Sequence, residues 1–151
     1  MEGNKMNGQS DSIAKISAAL IEASKNIGAA KKGATNPFFK SKYANLSSII
    51  EVVKAPLEQQ GIVVLQPMEV HGEQTFLRTI LLHSSGEYLS SSIPLSLVGK
   101  EQELGSRISY LRRYQLQAML SIPAVDDDAE TTMARTEPAV KKTYKRPTRG
   151  N

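Results

Sequence analysis

The chain has no cysteine and no tryptophan, and its aromatic residues are five tyrosines and three phenylalanines among 151 residues. The missing cysteines exclude disulfides, thiolate metal sites and a cysteine nucleophile, and they suit a reducing compartment. No apolar run exceeds four residues, as at Ile62–Leu65, so none approaches the ~20 residues that span a membrane. The polar start MEGNKMNGQSDS predicts no signal peptide.

The net charge of +4 is unevenly distributed. Residues 130–151 hold three lysines and three arginines against two glutamates, which already gives +4, so residues 1–129 are balanced. The high pI therefore does not by itself make the body of the chain a nucleic-acid binder. Composition predicts a disordered N-terminus over residues 1–9, one folded domain over 10–129 and a disordered basic tail over 130–151.

Two helices are predicted in the first half of the domain. The Ser-Asp pair at 10–11 offers an N-cap to a helix that reaches about Lys25. Asn45 is a good N-cap for a second helix, whose apolar residues share one face: Leu46, Ile49, Ile50, Val53 and Leu57. Pro56 should kink or interrupt this second helix, and Gly61 is a suitable C-cap.

The pattern then changes to that of strands. IVVLQPMEV and TFLRTILLH flank a His-Gly-Glu turn at 71–73, and EYLSSSIPL follows a Ser-Ser-Gly turn at 84–86, which predicts a three-stranded antiparallel meander. Pro67 and Pro94 indicate that their strands lie at sheet edges or end there. A helix from about Glu101 to Leu120 follows, with an acidic start that suits the helix dipole. This order predicts an α+β fold: N-terminal helices, a three-stranded meander and a long helix.

The last predicted helix carries three arginines and two tyrosines. A helical wheel places one stripe toward the core: Leu104, Ile108, Leu111, Gln115, Ala118 and Met119. Arg107, Tyr110 and Tyr114 lie on one flank of that stripe. Arg112 lies on the other flank, and Arg113 points away. Two interpretations stay open: arginine stems that cover apolar surface beside water, or guanidinium groups and rings that bind the phosphates and bases of a nucleic acid.

A second segment allows the same two interpretations. Residues 23–48 contain no acidic residue but hold five lysines, and the string NPFFKSKY interleaves rings with cations. Phe38 and Phe39 fit a loop that plugs into the core, while the whole string fits a surface that binds a single strand. The candidate DNA contacts of the second interpretation are Lys31, Lys32, Lys40, Lys42 and Tyr43.

No catalytic constellation is apparent, so neither enzyme activity nor a cofactor nor a metal site is expected. Gly99 and Lys100 lack the leading glycine of a phosphate-binding loop. His71 and His83 fall at turns without a spaced partner. Three aspartates fit a solvated acidic turn, a divalent-ion site or a contact with a neighbouring subunit's basic surface: Asp126, Asp127 and Asp128.

Three strings, in this order, resemble the ERF family of phage single-strand annealing proteins: NPFFKSKYANLSSIIEVVKAPLEQQGIVVLQ, LGSRISYLRRYQLQAMLSI and DDD. The resemblance covers roughly residues 10–129, and the strings N-P-F-F-K-S-K-Y and G-S-x-x-x-Y-x-R-R-Y are specific to the family. The chain departs from the family at Arg107, where a small residue is usual, and at Leu111, where alanine is frequent. An extra arginine does not oppose DNA binding.

The resemblance implies a non-enzymatic, ATP-independent protein that binds single-stranded DNA, anneals complementary strands in phage homologous recombination and assembles into a ring or filament. It implies a β-β-β-α annealing-protein core, with Arg112, Arg113 and Tyr114 on the helix that faces the DNA backbone. It places the protein in the cytoplasm of the bacterial host, with a phage exonuclease and a host single-strand-binding protein as candidate partners and no membrane. Two alternatives are a passive single-stranded DNA-binding protein and a metal-dependent nuclease that uses the aspartates at 126–128.

Overall fold

The computed structural model describes residues 8–30, 34–35 and 42–123. The described residues form three helices, α1 (Ala14–Ser24), α2 (Leu46–Gln59) and α3 (Glu101–Leu120). They also form six strands: β1 (Ala34–Thr35), β2 (Lys42–Tyr43), β3 (Ile62–Leu65), β4 (Met68–His71), β5 (Gln74–His83) and β6 (Tyr88–Pro94). β1 and β2 make a small separate sheet. The order of the elements confirms the predicted α+β class.

β5 is the central strand of the main sheet. β3 and β4 pair antiparallel with successive halves of one edge of β5, beginning with Ile62 opposite His83, and β6 pairs with the other edge. Between β3 and β4, Pro67 has no N–H to give to the ladder, although its carbonyl accepts from the Arg78 N–H at 2.9 Å. The predicted meander is therefore present, with its first strand divided in two. Pro94 ends β6, as expected.

The helices cover one face of this sheet. Alternate residues of β5, Leu77, Thr79 and Leu81, are fully buried beneath them, as expected for a strand with one face toward a core. The main core joins helices and sheet through a set of buried apolar residues: Ile16, Ala19, Ala23, Ile49, Val53, Leu57, Ile62, Leu81 and Leu116. Burial of this apolar surface is the main favourable contribution to folding. The opposite face is more open, since Val63 and Leu65 are exposed.

The ends of α2 largely follow the local sequence signals. Asn45 is the N-cap, and its Oδ1 accepts from the Ser48 N–H at 2.9 Å. Gly61 follows the helix with φ 69°, a left-handed conformation that glycine adopts at little cost. Of the expectation that Pro56 kinks or interrupts the helix, the interruption is wrong, because α2 continues past Pro56 to Gln59. Tertiary packing on both sides of the proline, at Val53 and Leu57, stabilises the last turn.

The start of α1 differs from the prediction. Its N-cap is Ile13 and not the pair at 10–11. The Glu87 carboxylate, from the turn between β5 and β6, accepts instead from the Ile16 N–H at 2.8 Å and from the Ser12 hydroxyl at 2.9 Å. These bonds, the Ile16 N–H above all, hold the pKa of Glu87 below its usual value. A local sequence pattern cannot show a cap that comes from a distant turn.

Residues 8–10 lie beside β6. Gln9 forms an antiparallel bridge with Leu89, and the Ser90 N–H donates to the Gly8 carbonyl at 2.6 Å. Gly8 and Gln9, which composition assigns to a disordered N-terminus, therefore have a defined position. Residues 1–7 lie outside the described residues, as do residues 124–151, which include the predicted basic tail.

α3 has the predicted bounds but not the single predicted buried stripe. Gln115 is buried toward β5, as the wheel indicated. A second buried side, with Arg113 and Leu116, faces α2 and the residues just before it, whereas Ala118 is exposed. The wheel was wrong here because α3 packs against both the sheet and α2. Among the described helices, none is long and apolar enough to cross a membrane.

Candidate functional site

Two clefts follow one another along the seam between α2 and α3. The aromatic cleft, of about 400 Å³, is lined by the start of α2 and one side of α3: Asn45, Leu46, Ser47, Ser106, Ser109, Tyr110 and Arg113. The apolar cleft, of about 230 Å³, lies between α2, α3 and β3. Leu46 lines the aromatic cleft. Ile50, one helical turn later on α2, lines the apolar cleft, so the two clefts are neighbours along α2.

The aromatic cleft opens at the N-terminus of α2. The first N–H groups of a helix have no intrahelical acceptor, and they give this end a partial positive charge. Asn45 accepts from one of these groups, the Ser48 N–H. Three serines, Ser47, Ser106 and Ser109, line the same cleft, although the Ser106 hydroxyl donates to the Gln102 carbonyl at 3.0 Å. Donors of this kind suit an anionic group such as a phosphate.

Tyr110 and Arg113 line the cleft from α3, and the Tyr114 ring packs against both of them. The ring centroids of Tyr110 and Tyr114, one turn apart, lie 4.4 Å from each other. The Arg113 guanidinium carbon lies 4.9 Å from the Tyr114 centroid and 5.6 Å from the Tyr110 centroid, within the range of cation–π attraction. Tyr110 nevertheless remains 52% exposed. The cleft thus presents an aromatic surface that is backed by a cation.

Arg113 does not point away from the core, contrary to the wheel. It is only 8% exposed, and its Nη1 donates to the Ala44 carbonyl at 3.4 Å. A charge at this depth must be stabilised by protein groups because little water reaches it. In the structure Arg113 joins the two tyrosines to the backbone that leads into α2.

Arg112 faces the apolar cleft instead. Its Nε donates to Gln66 Oε1 at 2.9 Å, while Gln66 Nε2 donates to the Arg112 carbonyl at 3.1 Å. Lys54 lines the same cleft and is 3.9 Å from the Glu58 carboxylate. The remaining lining is mainly apolar, with Ile50, Val53, Leu57, Ile62 and Leu116. The two adjacent arginines therefore lie in different clefts.

A buried polar chain runs behind Gln66. Gln66 Nε2 also donates to Thr79 Oγ1 at 2.9 Å, and the Thr79 hydroxyl donates to Gln115 Oε1 at 2.8 Å. Gln115 Nε2 donates to the carbonyls of Leu77 and Ser91 at 3.3 and 3.2 Å. Buried polar groups are stabilising only when they are paired in this way. This series of hydrogen bonds fixes α3 to the centre of the sheet.

Arg107 braces the loop that precedes α3. Its guanidinium donates to the Ser96 carbonyl and, at 3.1 Å, to the Val98 carbonyl. These bonds give it a structural role beside the predicted DNA contact, which stays a prediction.

The other predicted contacts fall outside what the structure describes. Lys31, Lys32 and Lys40 are not among the described residues, and Lys42 and Tyr43 are described only as the backbone of β2. The aspartates at 126–128 also lie outside. Because β2 ends directly before Ala44, the lysine-rich segment enters α2 at the aromatic cleft.

The described residues contain no group of three or more His, Asp or Glu that could hold a metal ion. His71 lies 3.3 Å from a Glu69 oxygen and packs edge-on against the Phe76 ring. His83 Nδ1 is 2.8 Å from the Ser85 hydroxyl. Each histidine thus has a local partner close to its own turn.

Sequence patterns missed the residues that support these clefts. Gln66 and Thr79 follow no periodicity that would connect them to Arg112, although the Pro67 that follows Gln66 does signal a break in the strand. Ser109 is an ordinary polar position on a helix. Their shared location becomes apparent only when α3 is packed on the sheet.

The chain is similar to a known protein family. No curated protein and no solved structure matches the chain. The family model described as ERF superfamily matches residues 16–150, which include both clefts. This family suggests a role in phage recombination through single-strand annealing, implies DNA as a partner, and is generally non-enzymatic. Because the match covers most of the sequence, the chain belongs to the ERF superfamily.

Proposed function

We propose that the chain binds single-stranded DNA along the α2–α3 seam and anneals complementary strands without ATP in phage homologous recombination. The observation that carries this proposal is the exposed Tyr110 ring at the aromatic cleft, which contacts the Tyr114 ring and is backed by buried Arg113. Family membership supports the same role.

The aromatic cleft suits two different parts of a nucleotide. The Tyr110 ring can stack on any base, because every base has a π-face. The N-terminus of α2 and the serine hydroxyls suit a phosphate. Farther along the seam, Arg112 and Lys54 add cations at the apolar cleft. The remaining proposed contacts come from α3 and from the segment that leads into α2: Arg107, Lys31, Lys32, Lys40, Lys42 and Tyr43.

Annealing requires phosphates to be held while base edges stay free for a second strand. Binding through phosphates is driven by counterion release and hardly depends on sequence. Several copies of the chain, in a ring or filament in the host cytoplasm, present long strands in this form. A phage exonuclease that produces single strands and a host protein that coats them are the proposed further partners.

The test combines an annealing assay with one ring substitution. Two complementary oligonucleotides, without nucleotide, should pair faster with the protein than alone. Tyr110→Ala should weaken binding to poly-dT and to mixed sequence alike, by about tenfold, since one base stack contributes roughly 1–3 kcal/mol. Tyr110→Phe should bind nearly as the wild type, because stacking does not need the hydroxyl. Tyr88→Phe, on the sheet face opposite the helices and beside Arg78, serves as the matched control.

The outcomes separate the three functions. Faster pairing that depends on Tyr110 supports annealing at the seam. Tight binding with slower pairing would identify a passive single-strand-binding protein. Degradation of the oligonucleotides in magnesium would identify a nuclease. Normal binding by a folded Tyr110→Ala variant would remove the aromatic cleft from the DNA site.

A further inference from the structure

Gln66 occupies an unusual place in the main sheet. It lies between β3 and β4, where Pro67 interrupts the ladder, and it belongs to neither strand. Its side chain faces the helices and contacts both Thr79 on β5 and Arg112 on α3. The long amide side chain of Gln66 therefore connects the break between β3 and β4 to α3.

The amide bonds of Gln66 restrict Arg112 at two points. Gln66 Oε1 accepts from the guanidinium Nε, and Gln66 Nε2 donates to the Arg112 backbone carbonyl. The two Nη groups of Arg112 make no hydrogen bond or ion pair with the described residues. The guanidinium is therefore oriented through Nε while its terminal donors remain open at the cleft.

We propose that Gln66 is a positioning residue for DNA binding, one that orients the Arg112 guanidinium toward a phosphate of the bound strand. This inference rests on the proposed function. Arginine is flexible, and much of its rotamer freedom is lost on making a contact. A guanidinium that is already oriented loses less freedom when a phosphate binds, so the contact is stronger.

The buried chain behind Gln66 gives this orientation its rigidity. Thr79 is 0% exposed and accepts from Gln66 while it donates to Gln115. Gln115 in turn is bound to the backbone of β5 and β6. If Gln66 rotates, the buried Thr79 oxygen loses the donor from which it accepts, and Gln66 loses its own bonds to Arg112, which is costly. The orientation of Arg112 is thus anchored to the centre of the sheet.

A double-mutant cycle tests the proposal with the full chain and a fluorescent poly-dT. Binding is measured between 50 and 200 mM salt, and thermal melts are recorded beside it. Arg112→Ala should reduce the slope of log affinity against log salt concentration by about 0.7. The loss of affinity between 50 and 200 mM salt should then be about 2.6-fold smaller than for the wild type. Gln66→Ala should flatten the slope in the same direction and weaken binding about threefold, on the scale of one weakened phosphate contact.

The effect of Gln66→Ala in the Arg112→Ala protein shows whether Gln66 acts through Arg112. In the Arg112→Ala protein, adding Gln66→Ala should change affinity and slope by less than about 1.5-fold, because the group that it orients is gone. Gln66→Glu keeps an acceptor but neutralises the guanidinium, so it should bind at least as weakly as Gln66→Ala. Gln74→Ala, an exposed glutamine of the same sheet, is the matched control and should bind normally.

Three results would overturn the inference. If Arg112→Ala weakens binding but Gln66→Ala does not, Gln66 does not position the guanidinium. If the two losses multiply in the double variant, Gln66 acts independently of Arg112. If Arg112→Ala binds normally while Tyr110→Ala does not, this inference fails although the proposed function stands. Normal binding by both Arg112→Ala and Tyr110→Ala would instead remove the whole seam from the DNA site.

Discussion

Replacing Arg113 by alanine should destabilise the fold, although its place on the helical wheel suggests a free surface cation. The side chain is 8% exposed, and it contacts both tyrosine rings and the Ala44 carbonyl. Alanine removes the guanidinium, leaves the carbonyl without this donor and lets water reach the Tyr114 ring. The variant therefore tests whether this cation serves the structure or only the ligand.

The expected cost follows from the contacts. Two partly desolvated cation–π contacts contribute about 1 kcal/mol each. A buried carbonyl that loses a donor costs about another 1 kcal/mol, with the long 3.4 Å bond at the lower end of the range. A total of about 2–3 kcal/mol, at roughly 4 °C per kcal/mol for a domain of this size, lowers the Tm by about 8–12 °C.

Thermal unfolding by circular dichroism measures this shift. Arg113→Met, which keeps the aliphatic stem but not the charge, should fall between wild type and alanine, because the stem still packs. DNA binding is compared well below the Tm of both variants, where any loss reports the changed aromatic cleft. A Tm for Arg113→Ala within about 1 °C of the wild type would refute the buried structural role. It would support the helical-wheel prediction that Arg113 is a cation on the surface.

Three further outcomes are expected. Glu87→Gln should lower the Tm at neutral pH. The Tm difference between the variant and the wild type should shrink as pH falls through the depressed pKa of Glu87, because the carboxylate stabilises the fold only while it is ionised. A Tm difference that stays constant from neutral to acidic pH would contradict this. Thr79→Val should cost about 1–3 kcal/mol in chemical denaturation, since Gln66 and Gln115 lose a buried partner; an unchanged denaturation midpoint would argue against the buried chain. Truncation after Ala129 should preserve the spectrum and Tm but weaken DNA binding at low salt, because six cations are removed; a truncated chain that does not fold would show that the boundary is wrong.

Much of the fold could be predicted because its signals are local. Asn45 is followed by an apolar face, Gly61 allows a left-handed turn, and the turns at Gly72 and Gly86 separate successive strands. α3 begins with acidic residues and ends where its helical pattern ends. Each signal lies within a few residues of its effect, so a linear sequence contains it.

The rest depends on residues that are distant in the chain. Glu87 caps α1 from 71 residues away along the sequence, and no pattern near Ile16 shows this. Arg113 is buried because α3 packs on two partners at once, whereas a wheel assumes a single buried face. Gln66 meets Arg112 across 46 residues, so its role depends on how the sheet and helix are packed.

The two edges of the main sheet are unequal, and this restricts how copies of the chain can join. The β6 edge is occupied at Leu89 by its bridge with Gln9, whereas no described strand pairs with the outer edge of β3 and β4. Head-to-tail growth by strand addition needs two different free edges that meet. Joining the β3–β4 edges of two copies gives a two-fold arrangement that closes at a dimer. Among the described strands, β3 and β4 therefore form the edge that is open along its whole length to strand addition by a second copy.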